Sequence, residues 1–169
     1  MFGRLFGRKG KEEKEQKAPE EVPVSATPPE HTQFIERCLA HAVKIGEDYG
    51  EVLDYSPASI QAVGRILDSY HQRYLRDQGQ MGEKLDAFAS VFGVYIGEAL
   101  LRAHPDAGYG WVGKPQFGLV VGKGEGYHID VIAKVTKQIV NGREEGDEVV
   151  SFFRVAEQLM EGNLQLPKK

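Results

Sequence analysis

One predicted helix has almost no polar side, and it constrains the fold more than any other segment. The helix is expected from about Gly82 to His104, where large or apolar residues recur at helical spacing on one broad face: Leu85, Phe88, Ala89, Phe92, Tyr95, Ile96, Ala99, Leu100 and Ala103. Gly93 and Gly97 belong to a narrow second stripe of small residues, which lets a neighbouring backbone come close. We therefore expect this helix at the centre of a domain, packed on most sides.

Glu98 is the acidic residue that interrupts this apolar helix. On the helical projection it lies among Ala87, Val91, Val94 and Arg102. A carboxylate in such surroundings needs a cation or an N–H donor, so Glu98 is expected to be partly buried and paired. The candidate cations are three arginines: Arg65, Arg73 and Arg102.

Four further helices are expected around the central one. The first covers about Thr32 to Asp48, with Thr32 as its N-cap. The second begins after Ser56, a favourable N-cap that is followed by Pro57 at the first helical position. The fourth follows Asp130 as N-cap and ends at 141–142, an Asn-Gly pair typical of helix ends. The fifth runs from about 147 to 160 and is expected to bury its apolar residues: Val149, Val150, Phe152, Phe153, Val155, Ala156 and Leu159.

Short extended segments separate the third and fourth helices. Strands are expected at 111–112, 116–121 and 127–129, and the glycine-rich segment 122–126 is typical of a hairpin turn. The fold class is therefore α+β, mostly helical with about five helices. A small antiparallel β-hairpin or three-stranded sheet lies between the third and fourth helices.

The first 30 residues have a different composition from the remainder. They carry six basic and six acidic residues, four prolines and few large apolar groups, which predicts a disordered basic and acidic tail and linker. Residues 31–166 are expected to form a single globular domain. Phe2, Leu5 and Phe6 lie between basic residues, so the tail could make a weak peripheral contact with an anionic membrane.

Charge and cysteine content exclude several classes of function. The net charge of −4 falls entirely on the domain, which argues against binding to nucleic acid. No segment has the length of a membrane span or the apolar core of a secretory signal, so a cytoplasmic location is expected. Cys38 is the only cysteine, which rules out an internal disulfide and a cysteine-rich zinc site. It is expected to be a small buried hydrophobic residue.

The sequence contains no established catalytic motif. There is no Gly-x-Ser-x-Gly, no His-Glu-x-x-His and no P-loop, and the glycines at 122–126 join two strands instead of opening a helix. His128, Asp130 and Glu98 could form an acid–base set or a metal site, but Asp130 is better explained as a helix cap. We therefore expect no catalytic residue, no metal and no cofactor, and a non-catalytic protein is favoured over an enzyme.

Five residues are candidates for binding a protein or a small polar ligand. They occupy the corner before the second helix, the central helix and the segment after it: Asp54, Tyr55, Glu98, Trp111 and His128. Trp111 has two possible roles: it packs in the core, or it is an exposed aromatic residue that binds the ligand. The leading hypothesis is a non-catalytic binding module. The alternatives are an enzyme that uses Glu98 with Asp54 or His128, and an immunity-like protein that neutralises a toxin.

Several of these segments together resemble a family of small bacterial proteins of unknown function. The resemblance covers about Val52 to Phe153, and the matching motifs are Leu-Asp-Tyr-Ser at 53–56, Leu-Asp at 67–68, Gly-Val-Tyr-Ile-Gly-Glu at 93–98, Trp111, and Lys-x-x-x-Asn-Gly at 137–142. The chain departs from the pattern at Gly64, where the family carries an acidic residue, so a site that needs that carboxylate is not expected. The resemblance implies an α+β fold and a bacterial source, and it implies no activity.

Overall fold

The computed structural model describes residues 29–144 and 146–164. Residues 1–28 of the predicted tail, with Phe2, Leu5 and Phe6, and the predicted domain end at 166 lie outside the described residues. The last two residues of the predicted tail, 29 and 30, belong to the first helix. The described residues form five helices and three strands: α1 (Pro29–Asp48), α2 (Pro57–Arg76), α3 (Gln78–Ala103), β1 (Gly110–Lys114), β2 (Gly118–Gly122), β3 (His128–Ile129), α4 (Val131–Asn141) and α5 (Val149–Met160). The predicted α+β class is confirmed, with the small sheet between α3 and α4.

Local capping chemistry places several helix ends where the sequence predicts them. The Ser59 backbone N–H donates to Ser56 Oγ at 3.3 Å, and Pro57 occupies the first turn of α2. The Ala133 N–H donates to Asp130 Oδ1 at 2.9 Å, which caps α4. Gly142 ends α4 with a φ of 75°, in the left-handed region that glycine reaches without strain.

Two helix starts differ from prediction. The first helix begins at Pro29, so Thr32 lies inside α1 and is not its N-cap. The central helix begins at Gln78, one turn before Gly82, because the Asp77 side chain accepts a hydrogen bond from the Gln80 N–H at 2.9 Å. A cap contributes about 1 kcal/mol, which offsets much of the cost of a glycine in the first turn.

The sheet has the strand order β1-β2-β3, and both pairs are antiparallel. Trp111 of β1 pairs with Val121 of β2, and Val121 pairs with Ile129 of β3, so the three side chains share one face. All three are buried in the helical core. Residues 123–127 connect β2 to β3, as the glycine-rich turn predicts.

The central position predicted for α3 is confirmed. This helix contacts α1, α2, α4 and α5, and its middle is buried on every side, because the seven consecutive residues 91–97 are all buried. The stripe of small residues has the expected role. A Cβ at Gly93 would lie 2.7 Å from the Ile132 Cα of α4, and one at Gly97 would overlap the Trp111 indole. Among the described helices, none combines the length and the apolar composition that a membrane-spanning segment requires.

A buried glutamine joins α2, α4 and α5. The Gln138 side chain has no exposed surface; its Nε2 donates to Asp68 Oδ1 at 3.2 Å and its Oε1 accepts from the Val149 N–H at 2.7 Å. Arg143 donates to the same carboxylate from its Nε at 2.8 Å. Gln138 thereby supplies the acceptor that the first N–H group of α5 would otherwise lack.

Cys38 packs in the core, as its neighbours in the sequence predict. Its side chain is buried, and burial raises the pKa of the thiol above its ordinary value. The neutral thiol is a poor nucleophile, so Cys38 acts as a small hydrophobic residue.

Candidate functional site

The connection between α1 and α2 forms a tight corner at residues 53–56. Tyr55 has a φ of 66°, a left-handed conformation that is uncommon for a residue with a side chain. Beside it, the Ser56 N–H donates to Asp54 Oδ1 at 3.0 Å, and the hydrogen bonds from Ser56 hold the Asp54 pKa below its usual value. Leu53 is buried and anchors the corner to the core. Such a strained residue persists only where surrounding contacts fix it.

The buried hydroxyl of Tyr95 supplies one of those contacts. It accepts a hydrogen bond from the Tyr55 backbone N–H at 2.7 Å and donates to Ser59 Oγ at 2.8 Å. Ser59 in turn donates to the Ser56 carbonyl oxygen at 2.7 Å. Burial is the main cause that raises the Tyr95 pKa, so the hydroxyl stays protonated and keeps its donor role.

The side chain of Tyr55 lies in a stack that continues onto α3. Its ring packs on the Tyr95 ring with centroids 4.8 Å apart, and the Arg102 Cζ lies 3.7 Å from the Tyr55 centroid on a cation–π contact. Arg102 Nε donates to Glu98 Oε1 at 2.9 Å, and Trp111 Nε1 donates to Glu98 Oε2 at 3.4 Å. Glu98 is therefore partly buried and paired, as predicted, and Arg102 is its cation.

Four of the five predicted site residues meet in this arrangement. We call it the corner cluster: Asp54, Tyr55, Tyr95, Glu98, Arg102 and Trp111. The Trp111 indole is 5% exposed and packs on Gly97. Trp111 is therefore a core residue and not an exposed aromatic residue available to a ligand. Both oxygens of Glu98 and the Tyr95 hydroxyl have partners within the chain. The corner cluster thus fastens the α1–α2 connection and β1 to the central helix.

His128 lies apart from the corner cluster. Its ring contacts the Phe117 ring, with centroids 4.6 Å apart, and it begins a groove along α4 and α5. In the described part of the chain, no hydrogen bond or ion pair joins His128, Glu98 and Asp54. These three residues therefore do not form an acid–base set in this structure.

Replacing Tyr95 by phenylalanine should loosen the corner. The change removes one hydroxyl and leaves the Tyr55 N–H and the Ser59 hydroxyl without their partner. We expect a loss of about 1–3 kcal/mol in the free energy of unfolding, measured with urea. Tyr74→Phe, at a half-buried position of α2, is the matched control and should change stability by less than about 0.5 kcal/mol. Equal stability of both variants would contradict the role given to the Tyr95 hydroxyl.

The α4–α5 groove is a concave surface that includes the predicted site residue His128. It has a volume of about 460 Å³ and is bounded by β3, α4 and α5. Its apolar lining consists of Ile129, Ala133, Phe152, Val155, Ala156 and Leu159. The sequence predicts that α5 buries all its apolar residues, and this is wrong for Val155, which is 55% exposed. Phe152 and Leu159 are only half-buried.

Helix α5 is apolar on two faces, and this explains the groove. Val149, Phe153, Ala156 and Met160 face the core and are buried. Phe152, Val155 and Leu159 recur at spacings of three and four and form a separate row on the outer side. Phe152 and Leu159 pack against the core with part of their surface, whereas Val155 between them stays exposed. The excess of apolar residues in α5 was the sequence signal for this surface.

Cationic side chains border the groove. Lys134 Nζ lies 3.1 Å from Asp147 Oδ1 and 5.7 Å from the centre of the Phe152 ring. Lys137 is exposed and makes no hydrogen bond or ion pair to a residue that the structure describes. The Asp130 carboxylate also lines the groove, but its Oδ1 caps α4. The groove therefore has an apolar floor, and its α4 side carries two lysines, Lys134 and Lys137, together with the Asp130 carboxylate.

Neither a metal-binding group nor a similar known protein gives further evidence about the function of these surfaces. Within residues 29–144 and 146–164, no three His, Cys, Asp or Glu side chains are grouped so that they could hold a metal ion. Comparison of the chain with protein-family models, curated proteins and solved structures gives no match. The resemblance carried by the 53–56 and 93–98 motifs therefore stays a prediction, and the functional proposals depend on the contacts of this chain.

Proposed function

We propose that the domain is a non-catalytic binding module that holds an acidic, amphipathic segment of a partner protein in the α4–α5 groove. The observation that carries the proposal is the outer row of α5, Phe152, Val155 and Leu159, which the core leaves partly uncovered. A contiguous apolar surface with a polar border is typical of a protein interaction site.

The shape of the surface favours a peptide segment over an enclosed small ligand. The groove is open along Val155, and the His128 ring connects it to Phe117, which is 49% exposed. This continuity extends the apolar surface beyond the 460 Å³ of the groove itself. A helix laid along such a groove presents apolar side chains at every third or fourth position.

The charges along the groove favour an acidic partner. Lys137 is exposed and makes no hydrogen bond or ion pair to a described residue, although it adds to the hydrogen bonds from Asn141 and Lys134 that hold the Asp147 pKa below its usual value. Lys134 Nζ donates to Asp147 Oδ1 and to the Gly146 carbonyl oxygen, which leaves one of its three N–H donors for a partner. Acidic residues beside the apolar anchors would pair with these lysines and hold the segment in one orientation. Basic segments would meet like charge and bind more weakly.

The enzyme alternative has less support. It needs Glu98 together with Asp54 or His128, but Glu98 is engaged by Arg102 and Trp111, and His128 lies at the groove. The contacts of the corner cluster are instead those of residues that stabilise the α1–α2 connection. We also propose a reducing compartment such as the bacterial cytoplasm, which suits a protein whose only cysteine is a buried free thiol.

Peptide selection tests the proposal directly. Random peptides of about 12 residues, enough for three helical turns, are displayed on phage and selected against the full chain. We expect a consensus of large apolar residues at spacings of three and four with Asp or Glu between them. Val155→Asp should weaken the selected peptide at least about 30-fold, about 2 kcal/mol, because it places a charge at the centre of the apolar row.

Val52→Asp is the matched control. Val52 is 77% exposed and lies outside the groove, so this variant has the same chemical change without the expected effect on binding. Lys137→Glu should weaken acidic peptides about tenfold through like-charge contact. The proposal is wrong if the selected peptides are basic, or if Val155→Asp and Val52→Asp bind the peptide equally well.

A further inference from the structure

A second concave surface lies on the other side of α5, away from the apolar row. This cleft has a volume of about 310 Å³ and lies between α2 and the first turns of α5. Its lining is mostly polar and includes three arginines from three segments: Arg65 of α2, Arg143 of the α4–α5 connection and Arg154 of α5. We call it the arginine cleft. Neither the corner cluster nor the α4–α5 groove includes any of these arginines.

Two of the arginines are held in place by carboxylates. Arg65 donates from Nε and Nη2 to the two oxygens of Glu51 at 2.7 and 2.8 Å. Arg143 pairs with Asp68 and, through Nη1, with Glu148 at 3.2 Å. These pairs fix the guanidinium planes, so their positions beside the cleft are set before any ligand arrives. Each guanidinium has five N–H donors, and the bidentate pair of Arg65 uses only some of them.

Arg154 is the arginine without such a partner. It is exposed, lines the cleft, and makes no hydrogen bond or ion pair to any residue that the structure describes. The one carboxylate in the lining is Glu148, whose oxygens accept from Arg143 and from the Ser151 hydroxyl. Arg154 is therefore the arginine of the cleft that has no carboxylate partner of its own among the described residues, while Glu51, Asp68 and Glu148 pair with the other two.

We propose that the arginine cleft binds a small phosphate-type oxyanion. Guanidinium groups recognise phosphate through paired N–H donors. Arg154 has all of its donors available, and Arg65 and Arg143 add the N–H groups that their carboxylate partners leave unused. The Gln61 amide and the Ser151 hydroxyl line the same cleft and supply further neutral polar groups. Its volume is at the lower end of the range for small-molecule sites, which suits a phosphate group with few further atoms.

The overall charge of the chain favours a small anion over a nucleic acid. A net charge of −4 repels a long polyanion, whereas a single phosphate interacts mainly with the nearest guanidinium, that of the unpaired Arg154. The site is independent of the α4–α5 groove, since Arg154 and Val155 lie on different surfaces of the same helix.

Titration of the full chain with inorganic phosphate tests this inference. Amide chemical shifts are followed by NMR, and sodium chloride at matched ionic strength is the reference. We expect saturable changes around residues 61–65 and 148–154. Arg154→Gln should weaken phosphate binding at least about tenfold because it removes the unpaired cation. Arg37→Gln removes an exposed arginine on α1 outside the cleft and should leave the affinity unchanged.

Two results would overturn the inference: shifts no larger with phosphate than with chloride, or equal phosphate affinity for Arg154→Gln and the unsubstituted chain. O-phosphoserine, used in place of inorganic phosphate, distinguishes the source of the anion. Tighter binding of O-phosphoserine indicates an esterified phosphate as the natural ligand, and tighter binding of inorganic phosphate indicates the free ion. Val155→Asp should leave either titration unchanged, so failure of this site and failure of the groove are separate results.

Discussion

Gly93→Ala and Gly97→Ala should each destabilise the domain by about 1–3 kcal/mol or more, although alanine is the better helix former. A Cβ at Gly93 would lie 2.7 Å from the Ile132 Cα and 3.0 Å from its backbone nitrogen, so α4 as a whole would have to move. A Cβ at Gly97 would overlap the Trp111 indole. We expect the larger loss for Gly93→Ala, because backbone yields less readily than a ring. Urea unfolding monitored by circular dichroism gives both values.

Gly82→Ala is the control in the same helix. A Cβ at Gly82 would meet nothing within 4 Å, so this substitution should stabilise the domain by up to about 1 kcal/mol through helix propensity alone. Opposite signs at Gly82 and Gly93 would show that close packing causes the losses. The contact with Trp111 is tested by a double-mutant cycle: Trp111→Phe shortens the ring, so it should reduce the cost of Gly97→Ala. Additive effects would contradict the contact.

Gln138→Ala should cost about 2–5 kcal/mol, one of the largest effects for a polar residue of this domain. The side chain is fully buried, so its removal leaves a cavity. It also leaves the Val149 N–H at the start of α5 without an acceptor and takes one donor from Asp68. Because Gln138 connects α2, α4 and α5, the loss should appear in the global unfolding transition and not as fraying of one helix.

Gln72→Ala is the matched control for Gln138→Ala. Gln72 is exposed on α2, and its side chain makes no hydrogen bond to a residue that the structure describes. Its replacement should change the free energy of unfolding by less than about 0.5 kcal/mol. If Gln138→Ala is as stable as Gln72→Ala, the buried glutamine does not hold the three helices together.

The elements that were predicted correctly depend on local chemistry. Ser56, Asp130 and Gly142 act on groups within a few residues of themselves, so the sequence reveals them directly. The prediction that Glu98 is paired is confirmed, and of the three candidate arginines the structure selects Arg102, which lies four residues away on the same helix. The start of α3 was misplaced because the cap at Asp77 outweighs the breaking tendency of nearby glycines.

The contacts that were not predicted join residues distant in the chain. Asp68 and Gln138 are 70 residues apart, and no periodicity connects them. The left-handed conformation of Tyr55 depends on the Tyr95 hydroxyl, 40 residues away. The sequence identifies candidate binding residues in the corner. It does not show that these residues form hydrogen bonds with other residues of the same chain.

The burial of the two apolar faces of α5 could not be predicted from the sequence pattern alone. The apolar residues of α5 recur on two faces, and from the sequence both faces were expected to be buried. Which face meets the core depends on how α5 packs against α2, α3 and α4. Val155 is left exposed, whereas Phe152 and Leu159 pack partly against the core. The sequence shows that α5 has apolar residues on more than one face, but it does not show which of them stay exposed.

One measurement tests the central claim, that the α4–α5 groove binds the partner and the corner cluster supports the fold. The tightest selected peptide is added to the full chain, and amide chemical shifts are mapped by NMR. We expect the largest changes at residues 128–137 and 152–159, with the corner at residues 53–59 and the central helix at 95–102 unchanged. Changes centred on the corner and the central helix, with the groove unaffected, would contradict it.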